Sequence, residues 1–279
     1  MSHYEFERIA FDGLSLYFQG WQTEQTQKAI ISLVHGLGEH SGRYTHWAAL
    51  LNQVGYTVLT YDLRGHGKSG GNRGHISSFN EYLNDTDLLV KEAEDRFPGM
   101  PYFLYGHSLG AIITSNYVLR RKPKFAGVIL TALSNKTALQ EQKGKVMLAK
   151  VLGSLLPKML MSTGLDPLTI SKDPEVVALY KNDPMVHHQA SLGFAKGSMD
   201  AIAWADQHAS EWTLPVLFMH GEKDKLGYVE GSKEFASKIK GDCTLKIWPG
   251  LFHEVHNEPE KQQVFDYLRE WLDKHSNAK

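Results

Sequence analysis

Apolar residues along this chain come in short blocks, and the spacing inside the blocks changes in a regular way. The first thirty residues alternate, over roughly Tyr4–Phe11 and Leu14–Gly20 about an Asp12-Gly13 turn, which predicts a hairpin. From there, unbroken apolar runs of strand length take turns with segments of helical period. KAIISLVHG, TVLTYD, PYFLYG, AGVILTALS, LPVLFMHG and TLKIWPG read as strands buried on both faces. RYTHWAALLNQVG, a segment from Phe79 to about Arg96, AIITSNYVLRR, YVEGSKEFASKIKG and PEKQQVFDYLREWLDKH read as helices. Such alternation predicts an α/β fold, with a mostly parallel central sheet flanked by helices on both faces.

The rhythm breaks between about Asn135 and Trp212, where the composition is helical and Pro157, Pro167, Pro174 and Pro184 punctuate it. The break predicts a helical cap at 135–212 inserted into a core made of 1–134 and 213–279. Met147, Leu148, Val151, Leu152, Leu155, Leu156 and Met159 fall on one face of a cap helix, with Lys145, Lys150 and Lys158 elsewhere on it. Burying each such side chain stabilises by about 1.5–3 kcal/mol, so the stripe must cover something. Three roles fit it: packing on the core, lining an acyl-chain pocket through Leu148, Leu152 and Leu155, or touching a lipid surface.

Chemistry concentrates where the fifth predicted strand stops. Gly106-His107-Ser108-Leu109-Gly110 lies between that strand and a helix, the setting of a nucleophile elbow with Ser108 at its apex. A second G-x-S-x-G match, Gly67-Lys68-Ser69-Gly70-Gly71, sits in a loop and lacks that setting. A serine needs a base, and the base needs a carboxylate; in sheets of this kind they follow in the order acid, then histidine. The strand PVLFMHG runs into Glu222-Lys223-Asp224 and TLKIWPG into Leu251-Phe252-His253, so Asp224 and His253 are expected at the sheet edge that carries Ser108. Glu222 is the rival acid and His256 the rival base. Two backbone N–H groups must meet the developing oxyanion, and Leu109 and Leu37 are placed to supply them. Glu39 and Arg43 are expected to pair within the loop after the first parallel strand, with contact to the substrate's alcohol end as a second role.

Composition narrows the partners. Of 279 residues 42% are hydrophobic and the net charge is −1, without the basic excess a nucleic-acid partner calls for. A lone cysteine, Cys243, fits a reducing compartment, and neither a secretory leader nor a membrane-length apolar run is evident, so a cytoplasmic protein is expected. His187-His188 lacks spaced Cys or carboxylate partners and reads as solvated cap surface, so no metal is expected. Gly36-Leu37-Gly38-Glu39-His40-Ser41 approaches a dinucleotide fingerprint but misses its third glycine.

Several stretches resemble the monoacylglycerol lipase and lysophospholipase branch of the α/β-hydrolases. They are HGLGEHSGRY from His35 to Tyr44, DLRGHGKS from Asp62 to Ser69, the elbow, LAKVLGSLLPK, Tyr180-Lys181-Asn182-Asp183-Pro184, and Leu251-Phe252-His253-Glu254-Val255-His256. The resemblance implies the α/β-hydrolase fold and cleavage of esters of single-acyl-chain glycerolipids under a mobile helical cap. It implies an acyl-enzyme on Ser108 and a small lipid ester as the partner; that mechanism calls for no cofactor, and the apolar stripe is compatible with transient contact of the cap with a membrane surface. Hydrolysis of other esters or of amides is the alternative. The Leu226-Gly227-Tyr228 run after Asp224 departs from the branch's usual pattern on the alcohol side of the site.

Overall fold

The computed structural model describes residues 2–137 and 151–276. Its centre is an eight-stranded sheet in the order β1-β2-β4-β3-β5-β6-β9-β10. The antiparallel pair β1 (Ser2–Ile9) and β2 (Ser15–Gln22) sits at one edge, with β2 antiparallel to β4 (Tyr56–Tyr61). The other strands, β3 (Ala29–Val34), β5 (Tyr102–His107), β6 (Gly127–Thr131), β9 (Val216–Gly221) and β10 (Cys243–Trp248), run parallel with β4. The hairpin strands each lie a residue or two from the positions that alternation predicts, and the turn spans 10–14.

Side chains alternate across the pleat even though the parallel strands are apolar throughout. Ile30 and Val34 of β3 join Leu104, Val128 and Phe218 on one face. Ile31 and Leu33 join Tyr105, Ile129 and Leu217 on the other. The first face is covered by α2 (Phe79–Arg96), α3 (Leu109–Arg121) and, beyond β9, α6 (Val229–Lys238). The second is covered by α1 (Thr45–Gln53) and α7 (Lys261–Ser276), through Trp47, Leu51, Phe265, Leu268 and Trp271.

Between β6 and β9 the chain leaves the sheet. Residues 151–155 are helical, β7 (Leu160–Ser162) pairs antiparallel with β8 (Gln189–Ser191), and α4 (Pro174–Asn182) lies between them. The two short strands are absent from the helical reading of this stretch: each spans three residues, too few to show a period of two. The helix α5 (Leu192–His208) that follows packs Phe194, Ala201 and Ala205 into the same core as α2 and α3.

Strand order fixes where a site can form. β3 lies between β4 and β5, so the chain reverses its direction of winding there, and the loops after β3 and β5 leave the sheet side by side. The loop after β4 is tied to the one after β3 by Asp62, a residue 1% exposed. Asp62 Oδ1 accepts from the Ser41 amide (2.8 Å) and hydroxyl (2.5 Å), and Oδ2 from the Lys68 amide (2.7 Å). Asp62→Ala leaves three donors without their acceptor, two of them on buried Ser41, so we expect a loss of about 3 kcal/mol in urea unfolding. An unchanged midpoint would show that the tie is not structural.

Candidate functional site

Ser108 occupies the sharp turn between β5 and α3 with φ +54° and ψ −114°, a conformation that costs a non-glycine residue roughly 1–3 kcal/mol. The flanking glycines make the turn possible. A Cβ on Gly106 would lie 2.4 Å from the Gly110 carbonyl oxygen, and one on Gly110 would lie 2.0 Å from that of Val34 in β3. The turn therefore presses against the neighbouring strand, and Ser108 is raised above the sheet's C-terminal edge.

Two loops meet it there. Ser108 Oγ lies 3.0 Å from His253 Nε2, and His253 Nδ1 lies 2.7 Å from Asp224 Oδ2. Asp224 follows β9 and His253 follows β10, so three strand ends deliver one hydrogen-bonded chain. The Leu226 and Gly227 amides donate to Asp224 Oδ1 at 2.8 and 3.0 Å, which fixes the carboxylate plane. Burial opposes charge on Asp224, but the two imidazoles around it prevail and hold its carboxyl well below the usual carboxylate range. Burial likewise opposes charge on His253, and the Asp224 carboxylate overrides it, raising the imidazole above its ordinary value.

The rivals lie elsewhere. Glu222 is exposed, and its Oε2 accepts from the Gly250 amide. His256 is fully buried, stacked on Tyr44 at 4.9 Å, and has no bond to Ser108. In the second G-x-S-x-G match, the Ser69 hydroxyl donates to the Asp62 carbonyl and accepts from the Tyr17 amide, a structural use.

A cavity of 410 Å³ opens beside Ser108. Leu37 and Leu109 line it, and their amides have no acceptor among the described residues. Its apolar wall comes from Ile112, Ile170, Phe194, Met199, Ile202 and Leu226. Leu152 and Leu155 do not line it: Leu152 is half-buried and Leu155 is 71% exposed. The wall is built from α3, α5 and loops, which a stripe on one helix cannot reveal. Leu148 lies outside the described residues.

Glu39, Glu254 and Tyr180 also line the cavity. Arg43 Nη1 donates to Glu39 at 2.6 Å, and the same guanidinium grips Glu254 at 2.7 Å through both nitrogens. Gly36 N–H and Tyr44 O–H occupy the other Glu39 oxygen at 2.6 and 2.8 Å. Burial would raise the Glu39 pKa, and the Arg43 charge instead holds it down at about 2. Read from the sequence, Glu254 and Tyr180 have no role of their own in the site, although both lie in stretches that carry the family resemblance. Adjacency to His253 was the available signal for Glu254; Tyr180, which lies 4.8 Å over the Arg43 guanidinium, had none in spacing. His187, expected on the solvated surface, instead donates its amide to the Gly38 carbonyl and sets its ring 4.6 Å from that of His66. His188 is exposed.

Residues 25–260 match the family described as serine aminopeptidase, S33. The chain belongs to this family. Among S33-like relatives, a monoacylglycerol lipase of Mycolicibacterium smegmatis is 36% identical over 265 residues, covering 94% of each chain. An uncharacterized abhydrolase domain-containing protein of Dictyostelium discoideum is 36% identical over 97% of this chain, which spans 29% of that longer protein. The crystal structure of the Paleococcus ferrophilus monoacylglycerol lipase superposes with a TM-score of 0.85 at 35% identity, covering 93% of this chain and 99% of that one. The sheet, its flanking helices and these likenesses make the architecture that of an α/β-hydrolase.

With His253 as the base, which must be neutral to accept a proton, activity is expected to fall as pH drops through its pKa. Because Asp224 raises that pKa, kcat/KM for a p-nitrophenyl ester is expected to rise with an apparent pKa above about 6.5. Asp224→Asn removes the raising charge, moving the limb to lower pH and cutting kcat by about 10⁴. A limb left in place by that substitution would contradict the assignment.

Proposed function

We propose that this protein hydrolyses carboxylic esters of glycerolipids carrying one acyl chain, monoacylglycerols and lysophospholipids, through an acyl-enzyme on Ser108. The observation that carries the reading is the Ser108–His253–Asp224 chain beside a cavity lined by apolar side chains together with Glu39, Tyr180 and Glu254. The monoacylglycerol lipases among its relatives support the same substrate class.

Ser108 Oγ attacks the ester carbonyl while His253 Nε2 takes its proton, and Asp224 stabilises the imidazolium and holds its tautomer. Charge developing on the carbonyl oxygen is met by the Leu37 and Leu109 amides. His253 then protonates the departing alcohol and activates the water that releases the fatty acid. The acyl chain lies against Ile112, Phe194, Met199 and Ile202, the last three from the α5 helix of the inserted segment. The alcohol lies toward Tyr180 and the Arg43 pairs.

The family description makes aminopeptidase activity the second reading, and it needs a carboxylate free to hold a substrate amine. Both pocket carboxylates, Glu39 and Glu254, are already engaged by Arg43. Of the cap acids, Asp166 and Asp173 accept from amides of their own helix starts, and neither they nor Glu175 line the cavity. An ester therefore fits better than an N-terminal peptide.

The cap also supplies a surface. Val151, Leu155, Leu156, Met159, Leu160 and Met161 are between 45% and 71% exposed, with Lys158 among them. We place this patch against lipid, where each buried side chain would recover about 1.5–3 kcal/mol. No described helix is long and apolar enough to cross a membrane, so the contact is peripheral.

Two experiments test these readings. Ser108→Ala should lower kcat on monoacylglycerol by up to about 10⁶ and abolish fluorophosphonate labelling; near-normal turnover would refute the nucleophile. The double variant L156D/M161D should sediment less with phosphatidylcholine vesicles while cleaving a soluble short-chain ester as before. Unchanged sedimentation would remove the lipid-surface role.

A further inference from the structure

His220 stands in β9, four residues before Asp224, and its ring is wholly buried. Its Nδ1 lies 2.7 Å from the Ser232 hydroxyl on α6. Its Nε2 lies 2.8 Å from the Gly227 carbonyl and 3.0 Å from Asp224 Oδ2. A carbonyl can only accept, so Nε2 carries hydrogen whichever charge the ring holds. That N–H is bonded to the Gly227 oxygen, with the Asp224 carboxylate oxygen beside it at 3.0 Å. Asp224 Oδ2 thus has two imidazole nitrogens within 3.0 Å, those of His253 and His220, while Oδ1 is filled by two backbone amides.

We propose that His220 is a positioning residue, which anchors on Ser232 and shares the Asp224 charge with His253, so setting both the aim of the carboxylate and the basicity of the catalytic imidazole. The inference rests on the reading of Ser108, His253 and Asp224 as the hydrolytic triad. Withdrawing the His220 N–H concentrates the charge of Oδ2 on His253, which favours the imidazolium and delays its deprotonation to higher pH. It also frees the carboxylate to rotate. The titratable groups around His220 are Asp224 and His253, with His107 of β5 beyond them, its ring 5.0 Å from that of His253. The loop and α6 contribute neutral partners, the Gly227 carbonyl and Ser232.

A purely structural role would tie β9 to α6 and nothing more; kcat, KM and the pH profile on a soluble p-nitrophenyl ester separate the two. In His220→Phe, kcat should fall about 10- to 100-fold, with KM within about threefold and the acid limb of kcat/KM displaced upward. His220→Gln, whose amide reaches the Nε2 position, should restore most of kcat and return the limb. His220→Phe with wild-type kcat and limb overturns the proposal, as does an equal loss in Phe and Gln variants with the limb unmoved. If His220→Phe does not fold, the Gln and Asn variants decide. Asn reaches the Nδ1 position alone and must displace the limb where Gln does not; a common limb overturns the proposal. Ser108→Ala and Asp224→Asn run alongside: full activity in either refutes the triad itself, whereas their loss beside an indifferent His220 refutes this inference alone.

Discussion

The contact between Gly110 and the Val34 carbonyl sets the geometry from which the rest of the site follows. A side chain on Gly110 would sit 2.0 Å from that oxygen, so the first turn of α3 can approach β3 only because the side chain is missing. This proximity forces the chain to turn within one residue, and Ser108 takes up the strained φ of +54°. The strain is tolerated because β5 is clamped between β3 and β6, and the Ser108 amide still donates to the Thr131 carbonyl at 2.9 Å. The same strand order puts the loop after β3, with Leu37, beside the elbow. Nucleophile and candidate oxyanion donors are therefore consequences of one packing constraint.

A second constraint joins the loops above the sheet. Arg43 is the cation between Glu39 of the first loop, Glu254 of the last and the Tyr180 ring of α4. Buried ion pairs of this kind add little net stability, yet removing one partner leaves an uncompensated charge and typically costs 3–5 kcal/mol. Their value here is geometric. Glu39 Oε1 receives the Gly36 amide, so the ion network reaches the loop that carries Leu37. Glu254 follows His253 directly, so the network also bears on the loop that carries the base. Tyr180 extends it to the segment above the cavity, where the His187 amide adds its bond to Gly38.

What could be read from the sequence was whatever depends on local order. Six parallel strands announced themselves as apolar runs, α2 spans Phe79–Arg96 as its periodicity indicates, and the ends of β5, β9 and β10 carry the three side chains that the structure brings within bonding distance. Properties arising from packing between distant segments were out of reach. The stripe through Leu152 and Leu155 was legible as amphipathic, but which way it faced was not, and the cavity wall comes instead from α3 and α5. The β7–β8 pair spans residues 160–191 with three-residue strands, leaving no period to detect. His187 and His220 are two of 14 histidines, and only their neighbours in space, His66 for one and Asp224 for the other, separate them from the rest.

The two sets of buried carboxylates are kept apart by their partners rather than by distance alone. Asp224 is surrounded by donors that are neutral or titratable, two amides and two imidazoles, so its charge is available to His253. Glu39 and Glu254 also act on His253 in the direction of protonation, after the larger effect of Asp224, while their own oxygens are engaged by Arg43. A cation beside a carboxylate offsets part of its field, so the Arg43 pairs limit what Glu39 and Glu254 add to protonation of that imidazole. The arginine that organises the loops thus also bears on the carboxylates that act on the His253 imidazole, which ties the polar lining of the pocket to the protonation state on which the proposed turnover depends.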